Sequence, residues 1–223
     1  MLESLGLCND TATATGNSIF TITFGSGSAQ YSQAKPSAFN FSTTYQQQFA
    51  PVTNDGQFSF INQIHDDFSG AWFTGGLDHT PNDVGGYMFL VNADYTPDQF
   101  FNGTINNLQI GALYEFSVYV ANILIPTGIE PNLIFQVRSA SLNNTLLAQF
   151  NSGNISQSQT MTWLKYGLSF TAPSSSVTLL IISNAPGGYG NDLVIDDITL
   201  RACSNGASPA SPTSPATRAS TPG

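Results

Sequence analysis

Short runs in which apolar and polar residues alternate recur from residue 20 to residue 200, and they leave little room for anything but strands. In "FTITF" (20–24), Phe20, Ile22 and Phe24 share one parity. "QFSFINQI" (57–64) repeats the pattern with Phe58 and Phe60, with room for a bulge after Ile61. Further runs are "AWFTG" (71–75), "YMFLVNA" (87–93), "QFFNGTI" (99–105), "LYEFSVYVANI" (113–123), "NLIFQVRSA" (132–140), "TLLAQF" (145–150), "LKYGLSFTA" (164–172), "SVTLLIIS" (176–183) and "DLVIDDITL" (192–200). Clusters such as "TPND", "PTGIEP" and "APGGYGND" punctuate them with turn residues. No stretch of useful length carries a 3.6-residue period with caps. Many short strands in one unit predict an all-β fold, an antiparallel β-sandwich of jelly-roll type spanning 1–203.

From residue 204 the character changes. "SNGASPASPTSPATRASTPG" is built almost wholly of Ser, Thr, Ala, Pro and Gly, with Arg218 its only charge. Without apolar anchors, 204–223 is expected to be a disordered or polyproline-like tail or linker, open to O-glycosylation.

The composition supports a sizeable core with an unusual surface. Hydrophobic residues make up 41% and aromatics 12%, while charged residues are only 9%, so Ser, Thr, Asn, Gln and Gly must build the polar exterior. Such a surface suits secreted proteins that face glycans, other proteins or their own copies. Five Lys and Arg against fourteen Asp and Glu give a net charge of −9. That excludes the basic footprint nucleic acid requires and disfavours an anionic membrane surface. It is compatible with Ca²⁺, which takes oxygen ligands, and equally with plain solubility. No apolar run reaches the ~18 residues of a membrane span. The opening "MLESLGLCND" lacks the pattern of a signal peptide, so a secreted form would have had its leader removed or replaced.

Cys8 and Cys203 bracket nearly all the strand-like sequence. A bridge would pin the first strand to the last and imply an oxidising, extracellular compartment; the alternative is two separate buried thiols. Sequons fall at Asn9, Asn40, Asn102, Asn143 and Asn154. Asn143 and Asn154 lie in turn-like stretches and are the better acceptors, while Asn40 sits in an aromatic stretch and is expected to be less accessible.

Catalytic signals are weak, and the chain is expected not to be an enzyme. His65 and His79 are its only histidines, and neither lies in a nucleophile-elbow sequence. Glycosidases need two carboxyls about 5–10 Å apart. The adjacent pairs Asp66–Asp67 and Asp196–Asp197 would point to opposite strand faces, which suits no shared substrate. A hydrolase using His65, Asp66 or Asp67 is the catalytic alternative. No Cys/His cluster has zinc spacing.

Asp196 and Asp197 interrupt an otherwise apolar strand. Alternation places Asp196 with Val194, Ile198 and Leu200, towards the core, where a lone carboxylate would be costly. It could accept backbone N–H bonds, pair with Arg201, or bind a cation.

Three stretches, taken in order, carry a resemblance: "LDHTPNDVGGYMFLVNA" (77–93), "WLKYGLSFTAP" (163–173) and "GGYGNDLVIDDITLRAC" (187–203). Together they resemble the MAM-type jelly roll, and they are similar to jelly-roll repeats of bacterial surface proteins, where "YEFSVYVANI" and "NAPGGYGNDL" have counterparts. The match covers about residues 77–203, and its closing strand is the specific part. It implies a non-catalytic extracellular module for adhesion, glycan binding or surface assembly. Related calcium-containing carbohydrate-binding jelly rolls hold a structural Ca²⁺ beside the last strand. On that likeness Asp196 would be a ligand, with Asp78 from across the sheet edge and Asp197 and backbone carbonyls completing the shell. The "CND" stretch offers only Asp10 where the MAM type has an acid in a Phe-Glu pair.

Two functions follow as expectations. One is a structural or adhesive module that self-assembles into a surface layer or filament, its partners being copies of itself or other surface proteins. The other is a carbohydrate-binding module on a glycosylated stalk. For glycan binding the candidate stacking residues are Trp72, Phe73, Tyr87, Phe100, Phe101 and Tyr189, most of them at strand-like positions that also suit a core.

Overall fold

In the computed structural model the chain is described over residues 7–8, 18–66, 68–125, 127–140 and 143–203. The expected tail, 204–223, lies outside these residues, as do Asn9, Asp10 and Asp67. The described strands are β1 (Ser18–Ile22), β2 (Gln46–Gln47), β3 (Gln57–Ile61), β4 (Met88–Asn92), β5 (Gln99–Ile105), β6 (Leu113–Asn122), β7 (Asn132–Ser139), β8 (Leu146–Asn154), β9 (Leu164–Thr171), β10 (Val177–Ser183) and β11 (Asp192–Ala202). One sheet runs β2-β3-β4-β11-β6-β9, with β1 also paired to β11, and the other runs β5-β10-β7-β8. All pairings are antiparallel except the short β2–β3 contact. The alternating runs thus produce the all-β, jelly-roll type of sandwich expected of them.

Alternation also sorts the side chains. On β6, Tyr114, Phe116, Val118 and Val120 enter the core between the sheets, where they meet Phe135 and Val137 of β7 and Leu179 and Ile181 of β10. Phenylalanines fill one end of this core, with Phe24 stacked on Phe60 at 5.0 Å and Phe41 on Phe101 at 5.1 Å.

A second, smaller apolar cluster lies on the outer face of the seven-stranded sheet. Val52, Ile64 and Trp72 cover Met88, Leu90, Ala121 and Val194 there. The run 71–75, expected as a strand, therefore is not one. Trp72 makes only an isolated bridge to Leu124, because this segment crosses the sheet as a covering loop. Conversely, β2 carries no alternating apolar residues and escapes a reading by pattern.

Cys8 and Cys203 form the expected disulfide, spanning 195 residues of sequence. The Cys8 N–H also donates to Glu115 Oε2 at 2.9 Å, so the bridge is tied to β6 as well as to the end of β11.

Candidate functional site

The closing-strand carboxylates do not follow simple alternation. Between the pairs Asp196–Tyr119 and Thr199–Ser117, β11 has two residues and β6 one, and Asp197 adopts φ 48°. This bulge changes the parity. Val194 and Asp196 belong to the outer face, while Ile198 and Leu200 lie in the inter-sheet core. Instead of separating the two acids, the bulge sends both to one loop. Asp196 Oδ2 accepts the His79 N–H at 2.8 Å and the Thr80 N–H at 3.3 Å, and Oδ1 accepts the Asp197 N–H at 2.8 Å. Asp197 meets His79 Nδ1 at 2.7 Å and accepts the Thr80 hydroxyl at 2.9 Å. The His79 ring stacks on Tyr119, centroids 3.5 Å apart. Burial pushes Asp196 up to about 8, assisted by the charge of Asp197 and only partly offset by its N–H donors.

Asp78 joins this group. Its Oδ2 is buried without a partner, and a Cβ at Gly86 would overlap its carboxylate, so glycine is what lets the loop lie so close. The resemblance implies a calcium ion among these carboxylates. Both oxygens of Asp196 are already taken by N–H donors, and His79 occupies Asp197. Among the described residues no three His, Cys, Asp or Glu side chains are arranged to hold a metal ion. The described carboxylates do not fit the ion by themselves, and Asp10 lies outside the described residues. Arg201 does not pair with Asp196 either. It makes two bonds to Glu115, at 3.2 and 2.8 Å, and Lys165 adds a third at 2.7 Å. Burial would raise the Glu115 carboxyl, but these donors hold it at about 2.

The aromatic candidates divide. Trp72, Tyr87, Phe100 and Phe101 are buried and present no face to a ligand, because alternation or loop packing turns them inward. Phe73 is half-buried. Tyr189 alone of the six stands out, 61% exposed. His65 and Asp66 border a crevice of about 10 Å³, too small for a saccharide, and Asp66 Oδ1 accepts the Phe68 N–H at 2.9 Å. Asn143 and Asn154 are exposed, Asn102 is half-buried on β5, and Asn40, expected to be less accessible, is exposed at φ 59°.

Two surfaces have the chemistry to bind hydroxyls. The first is the outer face of the four-stranded sheet, a depression of about 260 Å³ lined by Gln99, Asn102, Gln136, Arg138 and Thr178 around Leu180. Its polar groups satisfy one another. Gln136 donates to Gln149 at 2.7 Å, Arg138 to Gln136 at 2.8 Å, and Asn102 to Gln99 at 3.1 Å. No aromatic side chain lines it.

The second lies at one end of the sandwich, where the loops before β7 and β11 meet. "PTGIEP" and "APGGYGND" are turn sequences, and Ile129 and Gly190 pair across them. The close approach requires glycine at 190, at φ 112°, because a Cβ there would strike the Ile129 backbone. A cleft of about 460 Å³ opens here, lined by Thr127, Glu130, Asn132, Asn154, Gln157 and Asn184. The carboxamides form a chain, Asn184 donating to Asn132 at 3.0 Å and Asn132 to Asn154 at 3.1 Å. A Cβ added to Gly128, which also lines the cleft, would lie 3.2 Å from the Tyr189 ring. An exposed aromatic face thus stands beside a carboxylate and an ordered set of amides. Tyr189 was legible as an aromatic among loop glycines. Glu130, Asn132 and Asn184 were not, because distant loops supply them and no sequence spacing links them.

No protein-family model matches the sequence, and no curated protein sequence does. Solved structures are similar in fold. The CBM22-1 xylan-binding domain of Paenibacillus barcinonensis Xyn10C is 12% identical over 86% of this chain and 97% of its own, with a TM-score of 0.45. A CBM4 module is 16% identical over 65% and 86%, with a TM-score of 0.38. A CBM61 module in complex with β-1,4-galactotriose is 10% identical over 65% and 81%, with a TM-score of 0.41. All three TM-scores lie between 0.38 and 0.45, and the resemblance to the MAM type is carried no further by any family match.

Proposed function

We propose that the chain is a non-catalytic carbohydrate-binding module whose ligand crosses Tyr189 and enters the adjoining carboxamide cleft. One observation carries this reading: a cleft presents Glu130 and three linked asparagines, and Gly128 on its wall lies against the ring of the exposed Tyr189. The aromatic face stacks on the apolar face of a pyranose, while carboxylate and carboxamides exchange hydrogen bonds with its hydroxyls. The cleft is large enough for a sugar residue, and its amide chain is ordered before a ligand arrives, which lowers the cost of binding. The Cys8–Cys203 bridge accords with an extracellular setting, where such ligands are found. The reading as a self-assembling filament or layer protein calls on sheet edges and on contacts by the 204–223 tail, which lies outside the described residues, and nothing described supports it.

A glycan array probed with the full chain tests the proposal. Retention of a defined set of glycans is expected, weakened about tenfold by Tyr189→Ala, the equivalent of one sugar–aromatic stacking contact. Absence of binding across the array, or binding unchanged by that substitution, would refute it.

A further inference from the structure

Tyr189 also lines a second pocket, of different chemistry. It has a volume of about 270 Å³, with Phe68, Gly70, Leu124 and Tyr189 as walls and Asp192 at its base. Phe68 is held in place by stacking on Trp72 at 4.5 Å. Asp192 opens β11 on the same outward face as Val194, and only 3% of it is exposed. Its one close partner is the Asn92 amide, which donates to Asp192 Oδ1 at 3.0 Å and to Asp55 Oδ1 at 3.1 Å when its nitrogen faces them. The Trp72 indole N–H approaches the carboxyl without closing a hydrogen bond.

Both acids held by Asn92 lack a counter-charge among the described residues. Among the described residues no Lys, Arg or His forms an ion pair with Asp192 or Asp55, and Asp55 Oδ2 is buried without a partner. A buried carboxyl of this kind is costly to ionise unless something cationic arrives. Aromatic walls favour the same visitor, since ring faces attract ammonium groups. The chain's net charge of −9 draws cations towards it. A neutral hydroxyl would supply a hydrogen bond to Asp192 but no charge. An N-acetyl group would bring one amide N–H donor but no positive charge.

We infer that this pocket takes a protonated primary amine carried on a sugar, so that the ligand is a glycan containing unacetylated amino sugars. The inference rests on the carbohydrate reading and names the ligand class for it. Tyr189 is shared, with the sugar ring stacked on it, the hydroxyls towards Glu130 and the amine towards Asp192.

Isothermal titration of the full chain with three probes tests it: a β-1,4-linked glucosamine oligomer, its fully N-acetylated counterpart, and hexylamine. The glucosamine oligomer is expected to bind at least tenfold more tightly than the acetylated one, and Asp192→Asn, nearly isosteric, should abolish that preference. Should Asp192→Asn fail to fold, Phe68→Leu serves instead, because it removes a wall of this pocket and none of the cleft; it should lower the preference severalfold. Equal affinities for the two oligomers would overturn the amine pocket while leaving the carbohydrate reading intact. Hexylamine binding as tightly as the glucosamine oligomer would overturn the amino-sugar assignment together with that reading. Preference unchanged in either variant would place the amine elsewhere and also overturn the inference.

Discussion

Glu115 and Asp192 stand on neighbouring strands of the same sheet, both buried on its outer face, and they have been given opposite surroundings. Glu115 meets Arg201, Lys165 and the Cys8 N–H, so its charge is neutralised and every bond is internal. Asp192 has an amide, an indole and another acid, and a pocket opens onto it. A buried carboxylate with a full set of donors serves the fold, whereas one left without a cation at the foot of an aromatic pocket is available to a ligand. Asp196 stands between them in character, its oxygens held by the backbone N–H groups of His79, Thr80 and Asp197.

The largest effect should come from the first of these. Glu115→Ala strands two cations and the Cys8 amide, and breaking a buried ion pair from one side costs about 3–5 kcal/mol. Chemical denaturation should register that loss, while Asp192→Asn should cost far less under the same conditions. Equal losses would break the comparison. Next comes the disulfide. Replacing both Cys8 and Cys203 by Ser should cost roughly 2–5 kcal/mol, measured in the same way, because the bridge closes nearly the whole sandwich.

Titration should separate the carboxyls with opposite signs. Asp192 and Asp196 are raised from 3.8 to about 7 and about 8, so their contribution to stability is full below pH 3.8 and is lost as the pH climbs through those values. Glu115 is lowered from 4.5 to about 2, so its contribution holds above pH 4.5 and is lost as the pH falls towards 2. Thermal melts should therefore peak just below pH 4 and decline by several degrees towards pH 8.5. Asp196→Asn should flatten the alkaline decline and leave the acid limb, which belongs to Glu115, in place. The smallest effect concerns calcium. With the Asp196 oxygens occupied by N–H donors, a chelator should leave the melting temperature unchanged; a drop that Asp196→Asn removes would restore the ion and bring in ligands such as Asp10.

The sequence was most informative where one residue pattern decides one outcome. Alternation identified nearly every long strand because each has one face against a core, and the terminal cysteines pointed to their bridge. It failed at Trp72, whose apolar run packs as a covering loop, since burial by a loop and burial by a strand leave the same composition. It failed again at Asp197. A single residue at positive φ reverses the parity of a strand, and an aspartate there leaves no mark that distinguishes it from an extended one. The end proposed to bind a glycan was legible only through Tyr189. Glu130, Asn132, Asn154, Asn184 and Asp192 come from loops and strand ends of both sheets, where β7, β8 and β10 of one and β11 of the other reach the same end, and no local spacing encodes that.

Backbone chemical-shift mapping of the full chain during titration with a glycan selected from the array tests the central claim most directly. The perturbed amides are expected to cluster at Gly128, Glu130, Asn184 and Tyr189. A cluster instead at Gln99, Gln136 and Arg138, on the outer face of the four-stranded sheet, would contradict it.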